Sequence, residues 1–427
     1  MSSQKPTLIG FLPPIGGLPK TEDYFDYHKA LINTGDIVYA LAITLLSAGN
    51  NNMAWNFSAN AKTVNEYFSK VVWAIPCRIA PPPFHLDGFP YEAATNFIKQ
   101  LDIPFTSVTE SIQSSTYEYD KNLHKTLSNK VVTYLKTISE KTITIGTRGE
   151  YSAEILNKLG IKNVEPIGCP SLYMNGPTLK EKLIRKKPFS DVHNVAVTYS
   201  NYQRRTESLI QNAMSIAASN GFFFIEQTSN VVPKLLYYPD KLDPIDLIEA
   251  NKHYGSLDFL RTLYNTNRLR YFTNYGNWKD FISKMDFVFG ARMHGLTPAI
   301  ESGIPAHFIA HDSRVREMCE FFKLPFSPEH VFSGKMFDLH KLYESTDYSS
   351  AEKIYPDKYK NFLRFLTNNN INSNTDDNLE IMDKIDYTPS PGVEIELDPG
   401  THKTASRHHV NNLFEIASSL TKQGQHI

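Results

Sequence analysis

An α/β fold of parallel sheets with covering helices is the class this sequence predicts, and two patterns carry that expectation. Short apolar runs bounded by turn residues, such as Val71-Val72-Trp73 and Phe287-Val288-Phe289, alternate with longer amphipathic stretches. A basic stretch from Leu179 to Lys187 divides that alternation into two halves. The chain of 427 residues has room for two or three domains. The expected division is an N-terminal α/β domain over 1–187, a C-terminal α/β domain over 188–366, and a polar linker with a closing helix over 367–427.

In the first half, Thr7 to Leu12 reads as a strand, broken by Pro13-Pro14 and Gly16-Gly17. Asn33-Thr34-Gly35-Asp36 leads into a helix over Ile37 to Ser47, with Asn33 or Asp36 suited to its N-cap. Lys70 to Ile75 is a strand ended by Pro76, and Ile79 to Pro90 an irregular loop. A helix over Glu92–Leu101, a strand over Phe105–Val108 and a helix over Leu123–Ser139 follow. Strand Thr142–Ile145, helix Ala153–Leu159 and strand Val164–Ile167 make a βαβ run that closes at Gly168-Cys169-Pro170-Ser171. Arg148 falls at a strand end, where it either pairs with Glu150 and nearby carbonyls or faces a ligand.

The second half opens with strand Val192–Tyr199, helix Thr206–Asn220 and strand Phe222–Glu226. Asn230 to Asn267 reads as a helical insertion, followed by strand Arg270–Phe272 and helix Trp278–Met285. Phe287 to Phe289 is then a short buried strand that turns at Gly290 into a helix, with Thr297 and Pro298 expected in its first turn and Gly303 at its C-cap. Strand Ala306–Ala310 runs into His311-Asp312 and a helix over Ser313–Phe322, capped by Asp312 or Ser313. Arg314, Arg316 and Glu317 read as solvated charges on that helix. After Leu366 the chain turns polar, and Val410 to Leu420 is a closing helix.

In an open α/β sheet, ligands bind beyond the carboxyl ends of the strands. Arg292 and His294 stand at one such end, and His311 and Asp312 at the next. Arg is a permanent cation whose fork fits phosphate or carboxylate. His exchanges protons near neutral pH. The bland alternative is a structural Arg and a satisfied His.

These residues also carry a resemblance. Gly290-Ala291-Arg292-Met293-His294-Gly295, then Ala299, Gly303-Ile304-Pro305, Ile309-Ala310-His311-Asp312-Ser313-Arg314, Glu317 and Leu324-Pro325 resemble the C-terminal signature of the polysaccharide pyruvyl transferase family. Thr147 to Leu172 is similar too, with Arg148, an acidic residue and Ser152 before a helix, then Leu159-Gly160-Ile161 and Gly168-Cys169-Pro170-Ser171. Many members place Asp where Cys169 stands. Asn33-Thr34-Gly35-Asp36 resembles the family's N-x-G-D element at the cleft between domains.

The resemblance covers most of Thr7 to Pro325. It implies two Rossmann-like domains facing a cleft, GT-B-like, with a C-terminal helical tail. It also implies transfer of pyruvate from phosphoenolpyruvate to a sugar, giving a pyruvate ketal in glycan biosynthesis. His294 is then the general acid/base and Arg292 a ligand of the anionic donor. Family members place a second donor Arg just after the first strand of the second domain; here Arg204 and Arg205 come a few residues later, and either can take the role. Arg148, Asn33, Gly35, Asp36, Gly295, His311 and Asp312 complete the implied substrate-binding set. Such a transfer needs no metal or redox cofactor, phosphoenolpyruvate being a co-substrate. Two other readings stay open: a GT-B glycosyltransferase using a nucleotide sugar, and a non-catalytic binding protein of a glycan pathway.

Bulk composition sets the remaining limits. Charged residues are 21% and the formal net charge is −1, a balance that does not favour nucleic acid or a polybasic membrane anchor. Cys77, Cys169 and Cys319 are odd in number and widely spaced, against a disulfide framework or zinc ribbon. No run reaches the about 18 apolar residues of a spanning helix, and Met1 to Pro6 lacks a signal-peptide core. The expectation is a cytoplasmic protein that works at the inner membrane face if its acceptor is lipid-linked. The acceptor sugar and the oligomeric state are not written in the sequence.

Overall fold

A computed structural model describes residues 7–10, 33–46, 52–54, 60–74, 78–81, 89–114, 116–177, 179, 186–199, 207–332, 337–371 and 404–422. Gly16-Gly17, Pro76, Cys77, most of the Ile79–Pro90 loop, Arg204 and Arg205 lie outside the described residues.

The first half contains β1 (Thr7–Gly10), β2 (Asn52–Ala54), β3 (Lys70–Trp73) and β5 (Phe105–Ser107), a parallel sheet in the order β2-β1-β3-β5. Two short parallel pairs stand beside it, β4 (Arg78–Ile79) with β6 (Ser111–Ile112) and β7 (Ile145–Thr147) with β8 (Val164–Pro166). The bridge from Glu110 to Thr147 carries pairing from the end of β5 onto β7.

The second half holds one parallel sheet of six strands: β9 (Val195–Thr198), β10 (Phe223–Glu226), β11 (Leu269–Tyr271), β12 (Phe287–Gly290), β13 (Ala306–Ala310) and β14 (Phe326–Pro328). Their order is β11-β10-β9-β12-β13-β14. Counted along the chain this is 3-2-1-4-5-6, the Rossmann order, with its switch point between β9 and β12. Both sheets are the α/β, Rossmann-like kind expected. The central strands β9, β12 and β13 are buried along their whole length and need only enough residues to cross the core.

Several boundaries differ from expectation for local reasons. The helix expected over Leu123–Ser139 is a 3₁₀ turn at Leu123–Lys125 followed by an α-helix at Asn129–Lys141. Thr126 bonds the Leu123 carbonyl with both its amide and its hydroxyl, which closes the first turn. The strand expected at Thr142–Ile145 begins only at Ile145. The Asn163 side chain takes the carbonyls of Thr142 and Ile143 (2.9 and 3.3 Å), so they do not join the ladder.

The helix after β12 starts at Met293, with Arg292 at its N-cap, so Thr297 and Pro298 lie inside it and not in its first turn. All nine of its residues are buried, and that packing outweighs the preference of proline for a first turn. Lacking an amide, Pro298 also leaves the His294 carbonyl without its helical donor.

One apolar cluster joins the halves. Ile37, Val38, Leu41, Ile43 and Leu46 of the Gly35–Leu46 helix share it with Met293, Leu296, Ala299 and Ile300. The helix Ser349–Asn368 enters the same cluster through Tyr355, Tyr359, Phe362 and Phe365. It lies against first-half elements: Tyr355 bonds the Leu172 carbonyl (2.7 Å), Arg364 pairs with Glu165 (2.7 Å), and Asn369 receives the Thr144 amide (3.0 Å). The closing helix spans Thr404–Lys422 and packs on the Pro244–Tyr254 and Leu257–Asn265 helices, with Arg261 holding Asn411 and Glu415. Among the described residues, no helix is long and apolar enough to cross a membrane.

Candidate functional site

The switch point of the second sheet is tightly built. Gly290, at the end of β12, has φ +154°, and a Cβ there would lie 1.9 Å from the Thr198 carbonyl of β9. Only glycine lets the two strands meet so closely. Five residues on, a Cβ at Gly295 would stand 2.1 Å from Thr198 Oγ1 and 2.3 Å from Gln227 Nε2. Gln227 donates to Thr198 Oγ1 (2.6 Å) and accepts the Thr34 amide on its backbone carbonyl (3.0 Å). The Asn33–Asp36 turn of the first half is thus seated on the carboxyl ends of the second sheet. Within it, Asn33 Oδ1 accepts the Gly35 amide (3.1 Å) and Asn33 Nδ2 donates to Asp36 (3.2 Å). A Cβ at Gly35 would meet Gln227 Oε1 at 2.7 Å and His294 Cβ at 3.0 Å, so a side chain there would push the turn off the site.

His294 is buried in this junction. Its Nδ1 lies 4.0 Å from Asp36 Oδ1, its Nε2 3.7 Å from Cys169 Sγ, and Tyr39 stacks on its ring at 5.8 Å. Burial holds its pKa well below the usual histidine value, and the positive charges of Arg148, Arg314 and Arg292 push the same way. The imidazole is therefore neutral at neutral pH and able to accept a proton.

Three arginines surround it. Arg292 is buried at the helix N-cap. Arg148 is buried on the first-half side, its guanidinium 5.4 Å from the Tyr39 ring centre and its Nε without a hydrogen-bond partner among the described residues. Arg314 is half-buried at the start of the Ser313–Phe322 helix. Burial lowers its pKa, Asp312 and Asp36 favour its charge, and Arg148 and Arg292 oppose it. Glu110 and Glu317 flank Arg148, and burial raises each carboxyl to about 7 despite that arginine.

The sequence expectations meet this geometry unevenly. Arg292, His294, Gly295, Arg148, Asn33, Gly35 and Asp36 come together. His311 and Asp312 adjoin them: His311 Nε2 is 3.3 Å from Asp312 Oδ2, and Arg292 and Arg314 act on His311 electrostatically. The oxygens of Asp312 are nevertheless engaged, one capping Val315 (2.9 Å) and the other accepting from Gln113 (2.7 Å), which suits bracing more than substrate contact. Arg204 and Arg205 lie outside the described residues.

The reading of Arg314, Arg316 and Glu317 as solvated helix charges fails for Arg314 and Glu317 and fits Arg316, which sits in a surface pair network. Arg314 faces the site. Arg316 pairs with Glu118 and Glu320, and Glu317 is buried against Ser152. A three-residue offset puts Arg314 and Glu317 on one helix face beside a strand end, which was the available signal. Tyr39 and Gln227 were not singled out, and an isolated Tyr or Gln carries no spacing signal. Among the described residues, no group of three or more His, Cys, Asp and Glu is arranged to hold a metal ion.

In arrangement, a proton-accepting imidazole stands among three fixed cations at the junction of two α/β halves. That combination suits a small dianionic or trianionic substrate undergoing proton-coupled chemistry.

No curated protein matches the sequence. Among solved structures, a putative UDP-N-acetylglucosamine 2-epimerase from Listeria monocytogenes is similar at 12% identity and a TM-score of 0.43, over 84% of this chain and 94% of its own. The UDP-N-acetylglucosamine 2-epimerase of Rickettsia bellii gives 11% and 0.43 over 90% and 100%. That of Methanocaldococcus jannaschii, solved with UDP-GlcNAc and UDP, gives 11% and 0.39 over 85% and 99%. These are distant likenesses, and no activity passes from them to this chain. The family model for polysaccharide pyruvyl transferase matches residues 116–313, a stretch that includes Arg148, Cys169, Arg292 and His294. That match agrees with the motifs read from the sequence, and over residues 116–313, a little under half its length, the chain is similar to the polysaccharide pyruvyl transferase family.

Proposed function

We propose that the protein transfers pyruvate from phosphoenolpyruvate to two hydroxyls of a sugar in a polysaccharide or its precursor, forming a cyclic ketal. The observation that carries this reading is the convergence of Arg148, Arg292 and Arg314 on the neutral His294. Phosphoenolpyruvate offers a phosphate and a carboxylate on adjacent atoms, and arginine forks bind both kinds of anion in pairs of charge-assisted bonds.

The chemistry divides into two additions at the same carbon. A sugar hydroxyl attacks C2 of phosphoenolpyruvate, and C3 takes a proton and becomes a methyl group. Phosphate then leaves C2 with the electrons of its C–O bond. The second hydroxyl adds to C2 and loses its proton, which closes the ketal. His294 accepts the proton of the attacking hydroxyl, the imidazolium so formed supplies the proton that C3 takes, and the neutral imidazole then accepts the proton of the second hydroxyl; such a group typically contributes about 10²–10⁴-fold. The arginines hold the donor and offset charge on the departing phosphate. The sequence of steps calls for no redox cofactor.

Calorimetric titration with phosphoenolpyruvate tests the donor. Binding that vanishes in Arg292→Ala supports the reading. Binding of a nucleotide sugar with none of phosphoenolpyruvate would replace it with glycosyl transfer.

A further inference from the structure

The two nitrogens of His294 meet different surroundings. Nδ1 faces Asp36, whose side chain is 30% exposed, and the 4.0 Å between them is too long for a hydrogen bond. Nε2 faces inward to Cys169 Sγ at 3.7 Å, within reach of a sulfur acceptor. The sulfur also lies 3.1 Å from Ser171 Oγ. Cys169 is fully buried, and its turn is fixed on both sides. Gly168 precedes it at φ +78°, where a Cβ would stand 2.4 Å from the Phe322 ring, and Pro170 opens the 3₁₀ turn Pro170–Leu172. That turn packs on both the Gly35–Leu46 and Met293–Glu301 helices.

A protonated Nδ1 beside Asp36 would be drawn to its carboxylate. A lone pair on Nδ1 is repelled by it, and 4.0 Å fits repulsion. The thiol can give its own proton to Ser171 Oγ and still accept one more bond on sulfur. We infer that Cys169 is a positioning residue whose sulfur accepts from Nε2–H of His294, so that Nδ1 is the proton-accepting nitrogen and points to the cleft. Arg148, Arg292 and Arg314 add positive charge around the ring, Tyr39 covers one face, and Asp36 marks the open side. The inference rests on the acid/base role given to His294 above and adds which nitrogen does the work and what fixes it.

Nitrogen-15 NMR of the full chain labelled at its 14 histidines tests this without any substrate, with His294 assigned by its loss in His294→Gln. The expected wild-type signals are a protonated Nε2 and an unprotonated Nδ1. Cys169→Ser keeps an acceptor at that place and should keep the tautomer. Cys169→Ala should give a mixture or the opposite form. In turnover, Cys169→Ala should lose roughly 10–100-fold in kcat, as when an outer partner that orients a histidine is removed, with the KM for phosphoenolpyruvate within about twofold and most of the loss restored by Cys169→Ser. A protonated Nδ1 in the wild type, or a tautomer unmoved by Cys169→Ala, overturns the inference. If wild-type protein turns over no phosphoenolpyruvate, the proposed function fails while the spectra still decide the role of Cys169.

Discussion

Glu317 accepts two hydrogen bonds from Ser152 across the cleft, one from its amide (2.6 Å) and one from its hydroxyl (2.8 Å). Ser152 lies in the first turn of the Glu150–Lys158 helix, whose N-cap residue Gly149 makes no side-chain cap. A carboxylate from the second half therefore supplies the cap that the first half lacks. Gly149 is small for the same reason, since a Cβ there would stand 2.4 Å from Glu317 Cγ. Removing the carboxyl in Glu317→Ala leaves two buried donors without a partner. The expected loss is about 1–3 kcal/mol, read as a lower denaturant midpoint with an unchanged m-value.

Burial raises the Glu317 carboxyl from 4.5 to about 7, so the folded protein holds its proton more tightly than the unfolded chain does. Stability contributed by this group is present below pH 4.5 and falls as pH rises through about 7. Glu110 acts in the same direction. Glu317→Gln keeps the shape and removes the ionisation. Its melting temperature should therefore drop less than that of the wild type between pH 5 and pH 8, the two differing by at most roughly 3 kcal/mol. Parallel melting curves across that range would sink the idea.

The arginine cluster makes a prediction that separates neighbours on one helix. Arg314→Ala should weaken phosphoenolpyruvate binding by about 1.5–3 kcal/mol, the worth of a charge-assisted bond, and Arg148→Ala likewise. Arg316→Ala, two residues on and tied to Glu118 and Glu320, should leave the affinity within about threefold, since exposed pairs contribute little. Calorimetry on the three variants checks it, and equal losses in all three would mean the helix charge acts only at long range.

Those arginines also depress the pKa of His294. Replacing Arg148 or Arg314 by Gln should move the histidine's NMR titration midpoint upward. Burial, the larger cause, should keep that midpoint below the ordinary value of 6.5 even then.

Gly290→Ala should not yield folded protein at wild-type levels. The added carbon would sit 1.9 Å from a backbone oxygen of β9, in a conformation that L side chains rarely adopt. Soluble expression and circular dichroism are the readouts.

The parallel sheets were legible where a strand is a short apolar run between turn residues, as at β3, β9, β12 and β13. They were not at β2, β4, β6 and β14, which hold too few apolar residues to stand out. β13 and the Ser313–Phe322 helix have the bounds that spacing implies. Arg292 and His294 were legible because a strand end, a glycine and a helix start fall together. Arg314 and Glu317 were not, since from sequence a charge near a helix start looks solvated unless its surroundings are known. Ser152, the partner of Glu317, and Arg148, the like charge beside Arg314, come from more than 150 residues earlier. The Ser349–Asn368 helix was hidden for a related reason. Its tyrosines and phenylalanines mark a buried face, but not which half they bury against.

That helix has a consequence for the order of biosynthesis. A ribosome releases the chain from the N-terminus, and domains generally fold as they emerge. Here Tyr355, Tyr359, Phe362 and Phe365 fill a cluster shared with Ile167 and Tyr173, and Asn369 ties down the segment before β7. The half made first therefore closes only after the half made second has passed, and a ribosome stalled before residue 349 would hold a nascent first sheet with an open apolar flank, the kind of surface that holding chaperones bind.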